Sequence, residues 1–179
     1  MMNIKEIIRD AKDLQFDSRK CSEGSVFFAV RGTQVDGHDY IGKAVENGAK
    51  TVVCEQLPET QAAGVRYEVV ENSAKALGLA ASEFYGNPSS KLHLVGVTGT
   101  NGKTTIATLL YRLFTDAGYV CGLLSTIENI IGKRVVPSTH TTGDQLELNS
   151  LLAQMVEAGC ACAFIEVGSH ARDHGRTGG

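Results

Sequence analysis

No stretch of this 179-residue chain is long and apolar enough to span a bilayer, which takes roughly 18 consecutive apolar residues, so no membrane span is expected. Lys5, Glu6, Arg9 and Asp10 break up the N-terminal residues, and no signal-peptide core is expected there. An excess of basic charge is also missing. The 17 Lys and Arg stand against 20 Asp and Glu, a net charge of −3. That argues against a dedicated nucleic-acid binder, whose face would be strongly basic, although not against a local phosphate pocket. There is no internal repeat, no low-complexity segment, and no Ser-His-Asp or Cys-His spacing of a covalent hydrolase. The five cysteines, Cys21, Cys54, Cys121, Cys160 and Cys162, are odd in number and scattered through apolar runs. They read as buried, reduced thiols of a cytoplasmic protein. Strand alternation would aim Cys160 and Cys162 at one face, and no second ligand pair accompanies them to make a zinc site.

What is present is ordinary for a globular protein: 42% hydrophobic and 21% charged residues. The length suits one domain, or one and part of another. Glycine is abundant, at 20 residues against 3 prolines, and falls where helices end and strands turn. The apolar spacing of Ile4, Ile7, Ile8, Ala11 and Leu14 predicts a helix over 3–14. Strands are expected at 25–30, 51–54 and 67–70. Helices are expected at 40–48 and from a Ser73 cap through Phe84. Gly86-Asn87-Pro88-Ser89-Ser90 is the best linker candidate, which puts a domain at 1–88 and another at 89–179.

From Leu92 the layout becomes that of a nucleotide-binding sheet. A strand at 92–97, a Gly/Thr-rich turn and a helix at 103–117 are followed by a strand at 120–124. A hairpin turns at Gly132-Lys133, a helix opens at Asp144, and a doubly buried strand spans 160–167. This β-α-β order predicts an α/β fold with a mostly parallel sheet. After about three parallel strands such a sheet leaves apolar surface uncovered, so the second domain is expected to be incomplete.

The strongest local signal is Gly96-Val97-Thr98-Gly99-Thr100-Asn101-Gly102-Lys103-Thr104-Thr105, set between a strand and a helix. Glycines let backbone N–H groups turn around a polyphosphate, and the helix dipole favours the anion. Lys103 can put its charge on the terminal phosphates, and Thr104 can offer a hydroxyl to Mg²⁺. Val97 stands where the common phosphate-loop pattern has its first glycine. The plain alternative is a Gly-rich turn with an exposed lysine. Glu166 ends the last apolar run, at the carboxyl end of a strand, where open parallel sheets bind ligands. It is either a carboxylate for the same Mg²⁺ or a strand-end glutamate facing solvent.

Residues 96–105 resemble the ATP loop of the Mur ligases, which build the peptide of bacterial cell-wall precursors. Asp17-Ser18-Arg19, the run Gly24 to Ala29, and Gly32-Thr33-Gln34-Val35-Asp36-Gly37-His38 resemble the UDP-binding domain of that family. Thr139-His140-Thr141-Thr142 and Glu166-Val167-Gly168-Ser169-His170 are similar to the branch that adds the third amino acid. The resemblance covers essentially the whole chain, in the family's order. It implies an ATP-dependent ligase that phosphorylates the glutamate carboxylate of UDP-N-acetylmuramoyl-L-alanyl-D-glutamate. The amine of an amino acid, meso-diaminopimelate as the commoner choice in the family with lysine as the alternative, then displaces phosphate from the acyl phosphate.

The resemblance also implies roles. Residues matching Phe16 and Ser18 hold the uridine end, and those matching Thr33, Gln34 and Val35 form the next loop over the UDP. Thr141 and Thr142 match contacts to the muramoyl-peptide. Gly99, Thr100, Asn101, Gly102, Lys103, Thr104 and Thr105 would bind ATP, with Thr104 and Glu166 holding Mg²⁺. Lys103, Glu166 and His170 are the candidate catalytic residues. Arg176 matches a substrate-contacting arginine, and His174 stands where glutamine is frequent. Gly168 replaces a substrate-contacting serine, a lost hydrogen bond worth roughly 0.5–1.5 kcal/mol. Members are several times longer, with further segments that carry a carbamylated lysine and select the amino acid. On that ground residues 1–88 are expected to bind the UDP-substrate, and 89–179 to be a partial ATP-binding domain that does not complete ligation alone. A non-catalytic nucleotide-binding protein is the other class, and a different phosphate-loop NTPase the third.

Overall fold

The helical spacing at the N-terminus lasts little more than one turn. A computed structural model describes residues 3–32, 35–137 and 144–168, and in it helix α1 covers only Ile4–Ile7. The expected helix over 3–14 is therefore corrected. Leu14 is drawn into strand β1 (Asp13–Gln15), where it pairs with Val26. Pairing and burial of Leu14 in a sheet outweigh a weak helical preference, as tertiary context commonly does.

The chain divides into two compact units, Met1–Phe84 and Tyr85–Gly179. The first holds four parallel strands in the order β1-β2-β3-β4, with β2 at Ser25–Phe28, β3 at Thr51–Cys54 and β4 at Arg66–Val69. Strand alternation sends Phe27, Ala29, Val52 and Cys54 into one core with Ile41 and Ala44 of helix α2 (Ile41–Glu46). Val26, Phe28 and Val53 are buried on the opposite face, where α3 (Ser73–Phe84) packs through Ala76, Leu77, Ala80 and Ala81. Ser73 is not the cap of α3. Asn72 Oδ1 accepts the Lys75 N–H at 2.8 Å, while the Ser73 hydroxyl donates to Glu55.

The second unit is a five-stranded sheet in the order β5-β9-β6-β7-β8. β5 (His93–Val97), β9 (Cys162–Glu166) and β6 (Cys121–Leu124) are parallel. The expected hairpin, β7 (Glu128–Ile131) and β8 (Arg134–Pro137), joins β6 antiparallel and makes the sheet mixed. Last in sequence among these strands, β9 lies between the first two. Helices α4 (Lys103–Asp116) and α5 (Gln145–Glu157) cover opposite faces. Cys162 and Phe164 pack with Ala107, Leu110 and Phe114 of α4. Ala163 and Cys160 pack with Leu151, Leu152 and Met155 of α5. Cys160 precedes the strand, so the two cysteines do not share a face as alternation would have it.

α4 is apolar on two sides. Leu110, Tyr111 and Phe114 turn to the sheet, whereas Ile106, Leu109 and Leu113 are exposed, Leu113 by 63%. Leu94 and Val95 of the edge strand β5 are exposed as well. The two kinds of apolar residue should respond differently to truncation. Phe164 is fully buried with its ring 5.3 Å from that of Phe114. Phe164→Ala is expected to cost about 3–5 kcal/mol in urea unfolding, and Leu113→Ala about 0.5 kcal/mol or less. Equal losses would contradict this packing.

Candidate functional site

β5 ends in Val97, and α4 begins six residues later. Val97 is buried against Ala107 and Phe164, so the residue that departs from the common phosphate-loop pattern is the last core residue of the strand. The turn itself reaches the helix through Gly102, which caps α4 with φ 78°. That left-handed geometry suits glycine and strains other residues. No side chain caps the helix, so its first-turn N–H groups point past Gly102 toward the turn. Lys103 folds back, with its Nζ donating to the Gly99 carbonyl at 2.9 Å. Thr100 and Asn101 are exposed, as is Thr105.

Glu166 is not a solvent-facing strand end. It is 4% exposed, and its Oε2 accepts three hydrogen bonds. The Thr104 hydroxyl donates at 2.8 Å, and the N–H and hydroxyl of Thr126 each donate at 3.1 Å. The two threonine hydroxyls lie 3.3 Å apart. Burial pushes the Glu166 carboxyl up. The Thr126 N–H, the two hydroxyls and the Lys103 charge outweigh it, and the net effect holds the carboxyl below its ordinary value. The result is a charged carboxylate flanked by two hydroxyls, beside a lysine and an uncapped helix start. Hydroxyl and carboxylate oxygens are hard donors that suit Mg²⁺, which commonly takes one or two protein ligands and completes its shell from phosphate and water. Among the described residues, no cluster of three or more His, Cys, Asp or Glu forms a metal cage.

Thr126 escaped the sequence reading. It follows β6, forty residues before Glu166, and only the insertion of β9 beside β6 brings the two together. The available signal was its place just past a strand's carboxyl end, next to the strand that ends in Glu166. Gly168 is half-buried two residues beyond Glu166.

In the first unit, Phe16 and Ser18 follow β1, and Val35 lies beyond β2. β1 and β2 are parallel neighbours, so these residues gather at one end of the sheet. Phe16 and Val35 are exposed, and Ser18 is buried. Asp17, not Ser18, caps the short 3-10 turn. Its Oδ1 accepts the Arg19 N–H at 3.0 Å, and its carboxylate takes the guanidinium at 2.9 and 2.8 Å. That guanidinium bond chiefly holds the Asp17 carboxyl below its ordinary value, against the effect of burial. Asn47 Nδ2 donates to the Ser18 carbonyl at 2.8 Å. Thr33, Gln34, Thr141, Thr142, His170, His174 and Arg176 lie outside the described residues, as do Thr139 and His140.

Comparison with known proteins agrees with this layout. Residues 11–85 match the model described as the Mur ligase family, catalytic domain, and residues 97–179 match the Mur ligase middle domain. The chain is 57% identical over 171 residues to the UDP-N-acetylmuramoyl-L-alanyl-D-glutamate--2,6-diaminopimelate ligase of Cytophaga hutchinsonii, covering 95% of this chain and 35% of that one. It is 52% identical over 182 residues to the ligase of the same name from Phocaeicola vulgatus, covering 99% and 38%. Among solved structures it resembles one of a UDP-N-acetylmuramoyl-L-alanyl-D-glutamate--2,6-diaminopimelate ligase, with a TM-score of 0.73, 26% identity, and coverage of 93% and 34%. It also resembles the MurF ligase of Thermotoga maritima in complex with ADP, with a TM-score of 0.58, 27% identity, and coverage of 94% and 34%. The chain thus spans about a third of the length of the curated relatives it matches.

The Glu166 cluster has a pH signature. The unfolded carboxyl titrates near its ordinary 4.5, and the folded one titrates lower. Its contribution is therefore full above the unfolded value and is lost as pH falls through the folded one. Thermal melts of wild type and Glu166→Gln should show a stability difference that shrinks as the pH drops below about 4.5. A difference that grows in acid would contradict a charged, stabilised Glu166.

Proposed function

The chain belongs to the Mur ligase family, and from that premise we propose that it supplies the nucleotide- and UDP-substrate-binding units of an ATP-dependent amide-bond ligase of peptidoglycan synthesis. The proposed reaction joins diaminopimelate to UDP-N-acetylmuramoyl-L-alanyl-D-glutamate. The terminal phosphoryl group of ATP passes to the glutamate carboxylate, and the incoming amine displaces phosphate from the acyl phosphate. The names of the relatives support diaminopimelate over lysine. The observation that carries the nucleotide half is the meeting of Thr104, Thr126 and Glu166 beneath the turn that holds Lys103.

In this reading Gly99 through Thr105 wrap the ATP phosphates with backbone N–H groups. Lys103 exchanges its bond to the Gly99 carbonyl for the terminal phosphates. Thr104 and Glu166 would hold magnesium, and the Thr126 hydroxyl donates to the same Glu166 Oε2 as the Thr104 hydroxyl. When bound, magnesium neutralises charge that builds on the phosphates. Phe16, Ser18 and Val35, with Thr33 and Gln34, take the uridine diphosphate end. Thr141, Thr142, Gly168, His174 and Arg176 are assigned to binding the muramoyl-peptide, and His170 is assigned a catalytic role with Lys103 and Glu166. No helix of the described residues is long and apolar enough to cross a membrane. All five cysteines are free and buried, which supports a reducing, cytoplasmic setting.

Calorimetric titration of ATP with magnesium tests the nucleotide half. Lys103→Ala should bind at least about tenfold more weakly than wild type. A hydrogen bond to a charged group is worth about 1.5–3 kcal/mol, and about 1.4 kcal/mol is tenfold. Equal binding by the variant, or no binding by wild type, would overturn the assignment.

A further inference from the structure

His38 lies in a short 3-10 turn, Gly37–Tyr40, just after the segment assigned above to the uridine diphosphate end. Both of its ring nitrogens are engaged. The Glu55 N–H donates to Nε2 at 2.9 Å, and Nδ1 lies 2.6 Å from Asp36 Oδ1. A backbone N–H can only donate, so Nε2 is the acceptor and carries no proton. The ring proton is then on Nδ1 and is donated to Asp36.

The partners of His38 are themselves tied. Asp36 Oδ1 also accepts the His38 N–H at 2.9 Å. Arg31 Nε stands 3.5 Å from Asp36 Oδ2 and 3.3 Å from Glu55 Oε2. Glu55 Oε1 accepts the N–H and hydroxyl of Ser73, both at 3.0 Å, at the start of α3. The base of the turn closes on itself. Arg31 bridges Asp36, the Gly32 N–H reaches the Val35 carbonyl at 2.9 Å, and the Gly37 N–H reaches the Val30 carbonyl at 2.9 Å. A Cβ on Gly37 would stand 2.7 Å from the Val30 backbone, so the close approach requires glycine. None of these groups belongs to the apolar core of the unit, which is built on Phe27, Val52 and Ile41. The cluster therefore spends several polar bonds on one loop base at the carboxyl end of the sheet.

We propose that His38 is a positioning residue. Held as its Nδ1–H tautomer, it clasps Asp36, with Arg31, Gly32, Val35 and Gly37 gathered around it, to the residue after β3, and so positions Val35 for the uridine diphosphate end of the substrate. This rests on the reading that the first unit binds UDP.

The probe is UDP, titrated into the full chain. Ring ¹⁵N–¹H correlation spectra of His38 in its neutral form should show a protonated Nδ1 and a bare Nε2. The opposite tautomer would overturn the proposal. His38→Ala should weaken UDP binding about tenfold, as expected where the loss of a hydrogen bond loosens a binding loop. His38→Gln places an amide carbonyl near the Nε2 position and should restore most of the affinity. His38→Asn keeps only the reach to Asp36 and should restore little. Alanine binding like wild type, or glutamine as weak as alanine, would overturn the clasp. Should the alanine variant fail to fold, glutamine against wild type decides, near-equal affinity supporting the proposal and a tenfold loss overturning it. Failure of wild type itself to bind UDP would overturn the substrate reading and this role with it. It is distinguished by being seen before any variant is made.

Discussion

One buried carboxylate organises the second unit. Glu166 sits at the end of the strand that lies between β5 and β6, and its Oε2 receives donors from the start of α4 and from the turn after β6. Left alone, such a carboxyl would take up a proton to escape burial. The Thr104 and Thr126 donors keep it charged and at the same time fix where the helix begins and where β6 ends. Lys103 adds a positive charge beside it. The turn around Gly102 thus opens onto a fixed arrangement of one negative group, two hydroxyls and one ammonium. An anion bridged by a hard cation satisfies all of them together.

The strand-turn-helix around 96–105 was legible because glycine spacing, strand run and helix start are all local. So were the hairpin at Gly132-Lys133 and the Asp144 cap, whose Oδ1 accepts the Glu147 N–H at 2.8 Å. Glu166 was legible as a position, but its company was not. Thr126 joins it through strand order, and strand order is a long-range property that no local pattern records. The same limit explains the errors. Leu14 fits the helical spacing of Ile4 and Ile7, yet pairing with Val26 takes it into β1. Cys160 looks like part of the last strand, but the strand begins at Cys162, and the two thiols enter different cores. In α4 the apolar residues form two stripes, and periodicity alone does not say which one meets the sheet.

In the first unit the legible part was the repeated pattern of strands and helices, and the illegible part was the polar wiring. Asp17 and Asn72 hold their loops by bonds to residues two and three positions further on, whereas His38 reaches Glu55, seventeen residues away. Those loops leave the strand ends where the candidate substrate residues gather. The two units therefore share a design. Parallel strands supply rigid ends, and a few polar contacts at those ends fix the loops. Family membership gives the design a function, a ligase that couples ATP to amide-bond formation, which we propose for the protein to which these units belong.

The most direct test of the central claim is the magnesium dependence of ATP binding in wild type and Glu166→Gln, measured by titration calorimetry at neutral pH. The account predicts that magnesium strengthens ATP binding to wild type by tenfold or more, and does so far less for the variant. A magnesium effect of equal size in both proteins would mean that Glu166 holds the loop together without serving the cation, and would contradict the account.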